Sequence, residues 1–204
     1  MHKYVEITLS WLLKNSRGHD AKSFYTSPAF VSQAEPTITV TSPDRGASPA
    51  TLGPEYITEG GGRIPALSWT APVDLESKVK EWLIVVEDPD APLPTPICHG
   101  VYGGIAPETK QVNPKDFEIE DENRSLLKGG FHWGKGRRDG VYVPPRPLMN
   151  HGTHRYFFQV VALSEALDKN MLEARATREQ VAEAVVGKVL GWGMWIGSCE
   201  RKWN

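Results

Sequence analysis

The chain has 204 residues, 40% of them hydrophobic and 24% charged, with a formal net charge of −2. That length supports one substantial core, the balance is unlike that of disordered segments, and the charge gives no electrostatic case for nucleic acid. No apolar run reaches the ~18 residues of a membrane span, and Cys98 and Cys199 alone cannot build a disulfide framework or a cysteine-based zinc site.

The opening "MHKYVEITLSWLLKNSRGHD" carries a short helical pattern (Ile7, Leu9, Trp11, Leu12, Leu13) broken by charges. It does not read as a signal peptide with a small-residue cleavage site, and the expected location is the cytoplasm, with reduced thiols. Residues 1–35 are expected to form an N-terminal extension laid on the core, and 36–204 the main domain. "TITVTS" (37–42) alternates as a half-buried strand does, and the following Gly- and Pro-rich stretch to residue 65 reads as loop. Further strands are predicted at "ALSWT" (66–70), "EWLIVVED" (81–88), "HGVYGGI" (99–105) and "HRYFFQVVAL" (154–163). Short strands at irregular intervals, joined by long turn-rich loops, favour a β-sandwich over alternating β–α units. One helix is signalled by the capping box Thr177-Arg178-Glu179-Gln180. Val181, Ala184, Val185 and Val189 share a face behind it, and Gly191 is predicted to end it. "GWGMWIGSCERKW" then reads as a final strand anchored by Trp192 and Trp195. The predicted fold is mainly β: an antiparallel sandwich of two sheets with a C-terminal helix and the N-terminal extension.

Two stretches carry the chemistry. In "VVEDPDAPLPTPICHG" (85–100) a buried strand runs into Asp88, Asp90 and two prolines that forbid a helix. In "VYVPPRPLMNHGTHRYFF" (141–158) a rigid proline loop leads to His151, His154, Arg155 and Tyr156. Polar groups on stiff loops at two strand ends are a common design for ligand binding. His151-x-x-His154 invites a metal, with Asp88 and His99 as further ligands, but no compact motif such as HExxH is present. No metal or other cofactor is expected, and His151 is read as an exposed loop residue. There is no GxSxG turn, and Cys98 would face away from its neighbour His99 on a strand, which makes it a small core residue. The glycine runs lack phosphate-loop spacing, and Trp69 and Trp82 read as packing rather than a base-stacking platform. Two readings of the polar groups stay open. In one, a carboxylate orients and charges imidazoles that hold an anion. In the other, Asp88 caps a turn while His99 and His154 are satisfied core groups.

At these residues the chain resembles the phosphatidylethanolamine-binding protein family. "EDPDAP" (87–92), His99 on the next strand and "HGTHRYFF" (151–158) are similar to its signatures; "IPALSW" (64–69) and "GKVLGWGMWIGSCER" (187–201) resemble its flanking patterns. The likeness spans roughly 36–203 and is strongest to the fungal branch, in "APLPTPICHG" and "YVPPRPLMNHG". The resemblance implies a two-sheet sandwich with an anion-binding cavity at one end, lined by Asp88, Pro92, His99, Pro144, Pro145, His154 and Tyr156. The chain departs from the family at Leu93-Pro94, where serine-arginine is usual, at Cys98, and in a longer loop 146–153. The implied partner is a small anionic ligand, a phosphate head group or small carboxylate. An alternative is a fungal natural-product enzyme using His99, His154 and Asp88 for acid–base work on anhydride or dicarboxylate units. A third is inhibition of a carboxypeptidase or kinase.

Overall fold

The computed structural model describes residues 3–203. In chain order it contains α1 (Lys3–Leu12), β1 (Thr39–Thr41), β2 (Ala50–Thr51), β3 (Leu67–Thr70), α2 (Val73–Glu76), β4 (Glu81–Asp88), β5 (Ile97–Ile105), β6 (Gln111–Val112), β7 (Ile119–Asp121), β8 (Leu126–Leu127), β9 (His132–Trp133), β10 (His154–Leu163), α3 (Lys169–Glu173), α4 (Arg178–Ala184) and β11 (Val189–Cys199). A three-stranded sheet runs β1-β3-β6, and an eight-stranded sheet runs β2-β11-β10-β4-β5-β9-β8-β7.

The long strands match their sequence signals: β4 and β10 have the predicted bounds, and β5 starts two residues earlier than expected. The expected wholly antiparallel arrangement is corrected, because β2 pairs with β11 in parallel and makes the large sheet mixed. A two-residue strand carries no readable alternation, so this pairing has no sequence signature. The same holds for β6, β8 and β9.

All eight residues of β4 are buried, because both faces of the large sheet are covered. Trp82, Ile84 and Val86 join Val40, Leu67, Trp69 and Val112 of the small sheet in one core cluster, with Tyr156, Phe158, Val160 and Trp195. Leu83 and Val85 point the other way, into a second cluster with Phe24, Phe30, Leu172, Val181 and Val185. Strand periodicity of two makes this division automatic. Residues 20–30, in three short 3-10 turns, therefore cover the outer face of the large sheet together with α3 and α4. Where β1 approaches β11, a Cβ at Gly193 would come within 1.9 Å of the Ile38 carbonyl oxygen, so only glycine fits.

Helix α4 has its capping box, with Thr177 accepting from Gln180 N. It stops earlier than predicted: Gly187, at φ 77°, makes the turn, and Gly191 lies inside β11 rather than at a helix end. Helix α1 inverts the usual amphipathic arrangement. Its buried positions are Glu6 and Ser10, whereas Trp11 and Leu12 are 68% and 62% exposed. Glu6 explains the inversion, since its carboxylate accepts from Met149 N at 3.0 Å and Arg201 Nη1 at 2.6 Å. Among the described residues no helix is long and apolar enough to cross a membrane.

Candidate binding site

Parity on β4 places Asp88 on the inner side of the large sheet and its neighbour Glu87 on the outer side. On β5 the pairing register skips: Val86 opposes Gly100 and Glu87 opposes Cys98, which leaves His99 as the extra residue of a bulge. Bulges re-aim side chains and are common beside functional sites. His99 is then clamped by the loop opposite. Its carbonyl accepts from Val143 N at 2.8 Å, and its ring Nδ1 makes a short contact to the Val143 carbonyl oxygen. A carbonyl can only accept, so Nδ1 carries a proton. Burial, the largest influence, holds the His99 imidazole below the usual range despite the Asp88 charge nearby. The neutral ring therefore keeps a lone pair on Nε2, which is buried without a partner among the described residues.

At the start of β10, His154 Nδ1 lies 2.8 Å from Asp88 Oδ2, and the second Asp88 oxygen accepts from Asp90 N at 2.8 Å. His154 Nε2 is in turn 2.8 Å from His151 Nδ1, and His151 Nε2 is 3.0 Å from the Leu13 carbonyl oxygen. Both nitrogens of His154 are thus consumed within the protein. Both ends of this relay are acceptors, so completing its three contacts takes three protons, whereas two neutral imidazoles carry two. His151 is only 3% exposed, which corrects the expectation of an exposed loop residue. It is buried because residues 13–20 cross over it: Arg17 donates to the His151 and Thr153 carbonyls, and Gly18 N donates to Asp90 Oδ1 at 3.2 Å. Arg155 locks the same segment through Asp20 and Asp90.

These groups surround a cavity of about 520 Å³. Of the residues expected to line it, Asp88, Pro92, His99, Pro144 and His154 do so. Pro145 and Tyr156 are not among the lining residues. The Pro145 carbonyl is turned back to accept from Thr58 N at 3.0 Å. The fully buried Tyr156 stands behind His99, with the rings edge to face at 5.2 Å. Residue types alone could not show that His99 occupies the space between Tyr156 and the cavity. The lining also includes Arg137, Arg138, Tyr142 and Arg146, which the motif reading missed. Their one sequence signal is the double arginine of "GKGRRDGVY", set between glycines just before the proline wall. Arg137 and Arg138 are exposed and make no ion pair among the described residues, whereas Arg146 is 3.2 Å from Glu59. The buried Tyr142 hydroxyl has no partner among the described residues. Cys98 points away from the cavity, towards the outer cluster. Desolvation pushes its thiol up to about 12, that of an inert thiol rather than a nucleophile. Among the described residues no group of three or more His, Cys, Asp or Glu is disposed to hold a metal ion.

Comparison with known proteins places this arrangement. The chain is 44% identical over 203 residues to phomoidride biosynthesis cluster protein B of Talaromyces stipitatus, covering 98% of this chain and 82% of that protein. It is 41% identical over 204 residues to the protein of the same name from a fungal species, covering 99% and 97%. Its fold matches a putative phosphatidylethanolamine-binding protein homologue of Chlamydia trachomatis, with TM-score 0.63 and 22% identity over 82% of this chain and 99% of that one. An Escherichia coli member of the same family gives TM-score 0.61 at 20% identity, covering 80% and 98%. The sequence model of the phosphatidylethanolamine-binding protein family matches residues 42–200, and the chain belongs to that family.

Proposed function

We propose that the chain binds a small anionic metabolite, a phosphate head group or a small carboxylate, and serves a biosynthetic pathway. The observation that carries this reading is the cavity itself, with unpaired Arg137 and Arg138 at its mouth above buried polar groups. Unpaired guanidinium groups are suited to carboxylates, which they can grip with two hydrogen bonds. The pathway role is supported by the two relatives above 40% identity, both named for a phomoidride biosynthesis cluster. We read the two sheets as the layers of a sandwich, with residues 36–204 as the binding domain and 1–35 as an extension that closes its open end. Leu13 supports this by lining the cavity. The free thiols of Cys98 and Cys199 fit a cytoplasmic location.

Calorimetric titration with maleate and with inorganic phosphate tests this reading. Maleate should bind, and Arg137→Gln with Arg138→Gln should weaken it at least tenfold. No binding of either anion to the wild type would overturn it.

A second reading, acid–base catalysis on a dicarboxylate or anhydride, is favoured by the His99 lone pair. A neutral imidazole with an unpartnered nitrogen beside a cavity carries the lone pair a general base needs, and such proton transfer typically supplies ~10²–10⁴ in rate. Asp88 and His154 would then act beside it, as the fixed charge and its partner. Incubation with anhydride monomers and analysis for coupled products checks this, and His99→Gln should abolish any turnover.

A further inference from the structure

We infer that the outer face of α1 is a docking surface for a second copy of this chain, the two helices lying antiparallel across a twofold axis at Thr8 in a reversible homodimer. The inference is independent of what the cavity binds.

The helix is held down by its polar side. Glu6 accepts from Met149 N and Arg201 Nη1, and Ser10 Oγ donates to the Glu6 carbonyl at 2.9 Å. Turning the helix to bury its apolar side would strand the Glu6 carboxylate and its partner. Tyr4, Val5, Trp11 and Leu12 therefore stay outside, each more than half exposed. The Trp203 ring lies edge-on to Tyr4 at 5.2 Å and extends the strip. Large exposed apolar patches mark interaction surfaces, and the pattern of this one selects a copy of itself. Tyr4 and Leu12 each lie four residues from Thr8, and Val5 and Trp11 each lie three. Antiparallel pairing centred on Thr8 sets Tyr4 against Leu12 of the second copy and Val5 against its Trp11. Each contact is then a ring on an aliphatic chain, and the face is its own complement, as a twofold interface requires. Thr8 is the small residue at the crossing, with its hydroxyl already spent on the Tyr4 carbonyl at 2.9 Å. Charge agrees: Glu6 is buried underneath, the five residues of the seam are uncharged, and antiparallel helices oppose their dipoles. A lipid surface fits less well, since interfacial helices carry lysine and arginine on the polar face, and here that face is Glu6 and Ser10 buried against protein. With aromatic side chains contributing most, the strip presents on the order of 600 Å² per protomer. A standard interface takes about 800 Å² per partner, so this dimer is reversible rather than obligate.

Sedimentation equilibrium of the wild-type chain should show monomer and dimer exchanging in the micromolar range. Trp11→Glu, a change at an exposed position, should be folded and monomeric throughout. Cysteine pairing under mild oxidation tests the register. Thr8→Cys should cross-link to its copy, because residues on the axis come within the ~4.4–6.8 Å between Cα atoms that a disulfide needs. Val5→Cys should not, because two residues three positions off the axis are ~9 Å apart along the paired helices. The wild type supplies the blank, since Cys199 is buried and Cys98 partly so. A wild-type chain that stays monomeric to millimolar concentration overturns the inference, and binding of that monomer to phosphatidylglycerol vesicles would give the face to a lipid surface instead. A dimer that survives Trp11→Glu, or that cross-links through Val5→Cys as readily as through Thr8→Cys, also overturns it.

Discussion

Glu87 and Asp88 are adjacent on one strand, both buried, and their surroundings are opposite in kind. On the outer face every Glu87 contact is made within the protein. Its carboxylate accepts from Phe24 N at 2.8 Å and Gln159 Nε2 at 2.7 Å, and pairs closely with Arg178. That network joins β4, β10, α4 and the N-terminal segment. On the inner face Asp88 is held by His154 and Asp90, but the groups around it are not all satisfied: His99 Nε2 and the Tyr142 hydroxyl have no partner among the described residues. Buried polar groups are nearly always bonded, so a closed network reads as structure, and an open one beside a cavity reads as a place for a ligand.

The largest expected effect breaks the closed network. Glu87→Ala strands two buried donors, Phe24 N and Gln159 Nε2, at about 1–3 kcal/mol each, and leaves the partly buried Arg178 with only Glu179 and the Lys22 carbonyl. Urea unfolding should show that loss, while the folded fraction keeps its maleate affinity. A loss below ~1 kcal/mol would remove the structural role assigned to the outer face.

Asp88→Asn is the counterpart on the inner face. The amide oxygen can accept from Asp90 N or from His154, not from both with the amide nitrogen also accommodated, so about 1–3 kcal/mol should be lost. Unlike the Glu87 variant, this one should also change ligand affinity. If it alters stability alone, the two faces do not differ in the way proposed.

Two tyrosines sharpen the comparison further. The Tyr102 hydroxyl donates to the Val141 carbonyl at 2.8 Å, so Tyr102→Phe should cost about 0.5–1.5 kcal/mol. Tyr142→Phe removes a buried hydroxyl that has no partner among the described residues, and should leave stability unchanged or slightly raised. Thermal melts of the two variants side by side check the pair.

The smallest effect is in acid. Burial pushes the Asp90 carboxyl up, but the Arg155 guanidinium and backbone N–H outweigh it and leave the carboxyl below the usual range. A depressed carboxyl contributes stability that is present above its unfolded value, about 3.9, and is lost as pH falls through the folded value. Because Asp90 also holds Gly18 N, amide exchange in residues 13–20 should rise on acidification before exchange in β4 and β10 does. In Asp90→Asn that segment should already exchange faster at neutral pH, with a flatter acid response.

Much of this was legible in the residues. The runs 81–88 and 154–163 had to be strands buried on both faces, since apolar residues occupy both parities. The combination of "EDPDAP", His99 and "HGTHRYFF" marked the candidate site through its resemblance to the family's signatures, since the residue types alone left a ligand pocket and satisfied core groups equally open. Tertiary structure alone decided the roles. Which imidazole meets Asp88 depends on strand order: β10 and β5 both flank β4, and the bulge at His99 turns that ring to the cavity and to the Val143 carbonyl while His154 meets Asp88. The burial of His151 depends on a segment more than a hundred residues away, through the Leu13 carbonyl and Arg17. The orientation of α1 is set by the Glu6 contacts with Met149 and Arg201, against its own apolar pattern. Periodicity reports only which side chains share a face. Hydrogen-bond partners are chosen by long-range register and loop closure, which no local pattern encodes.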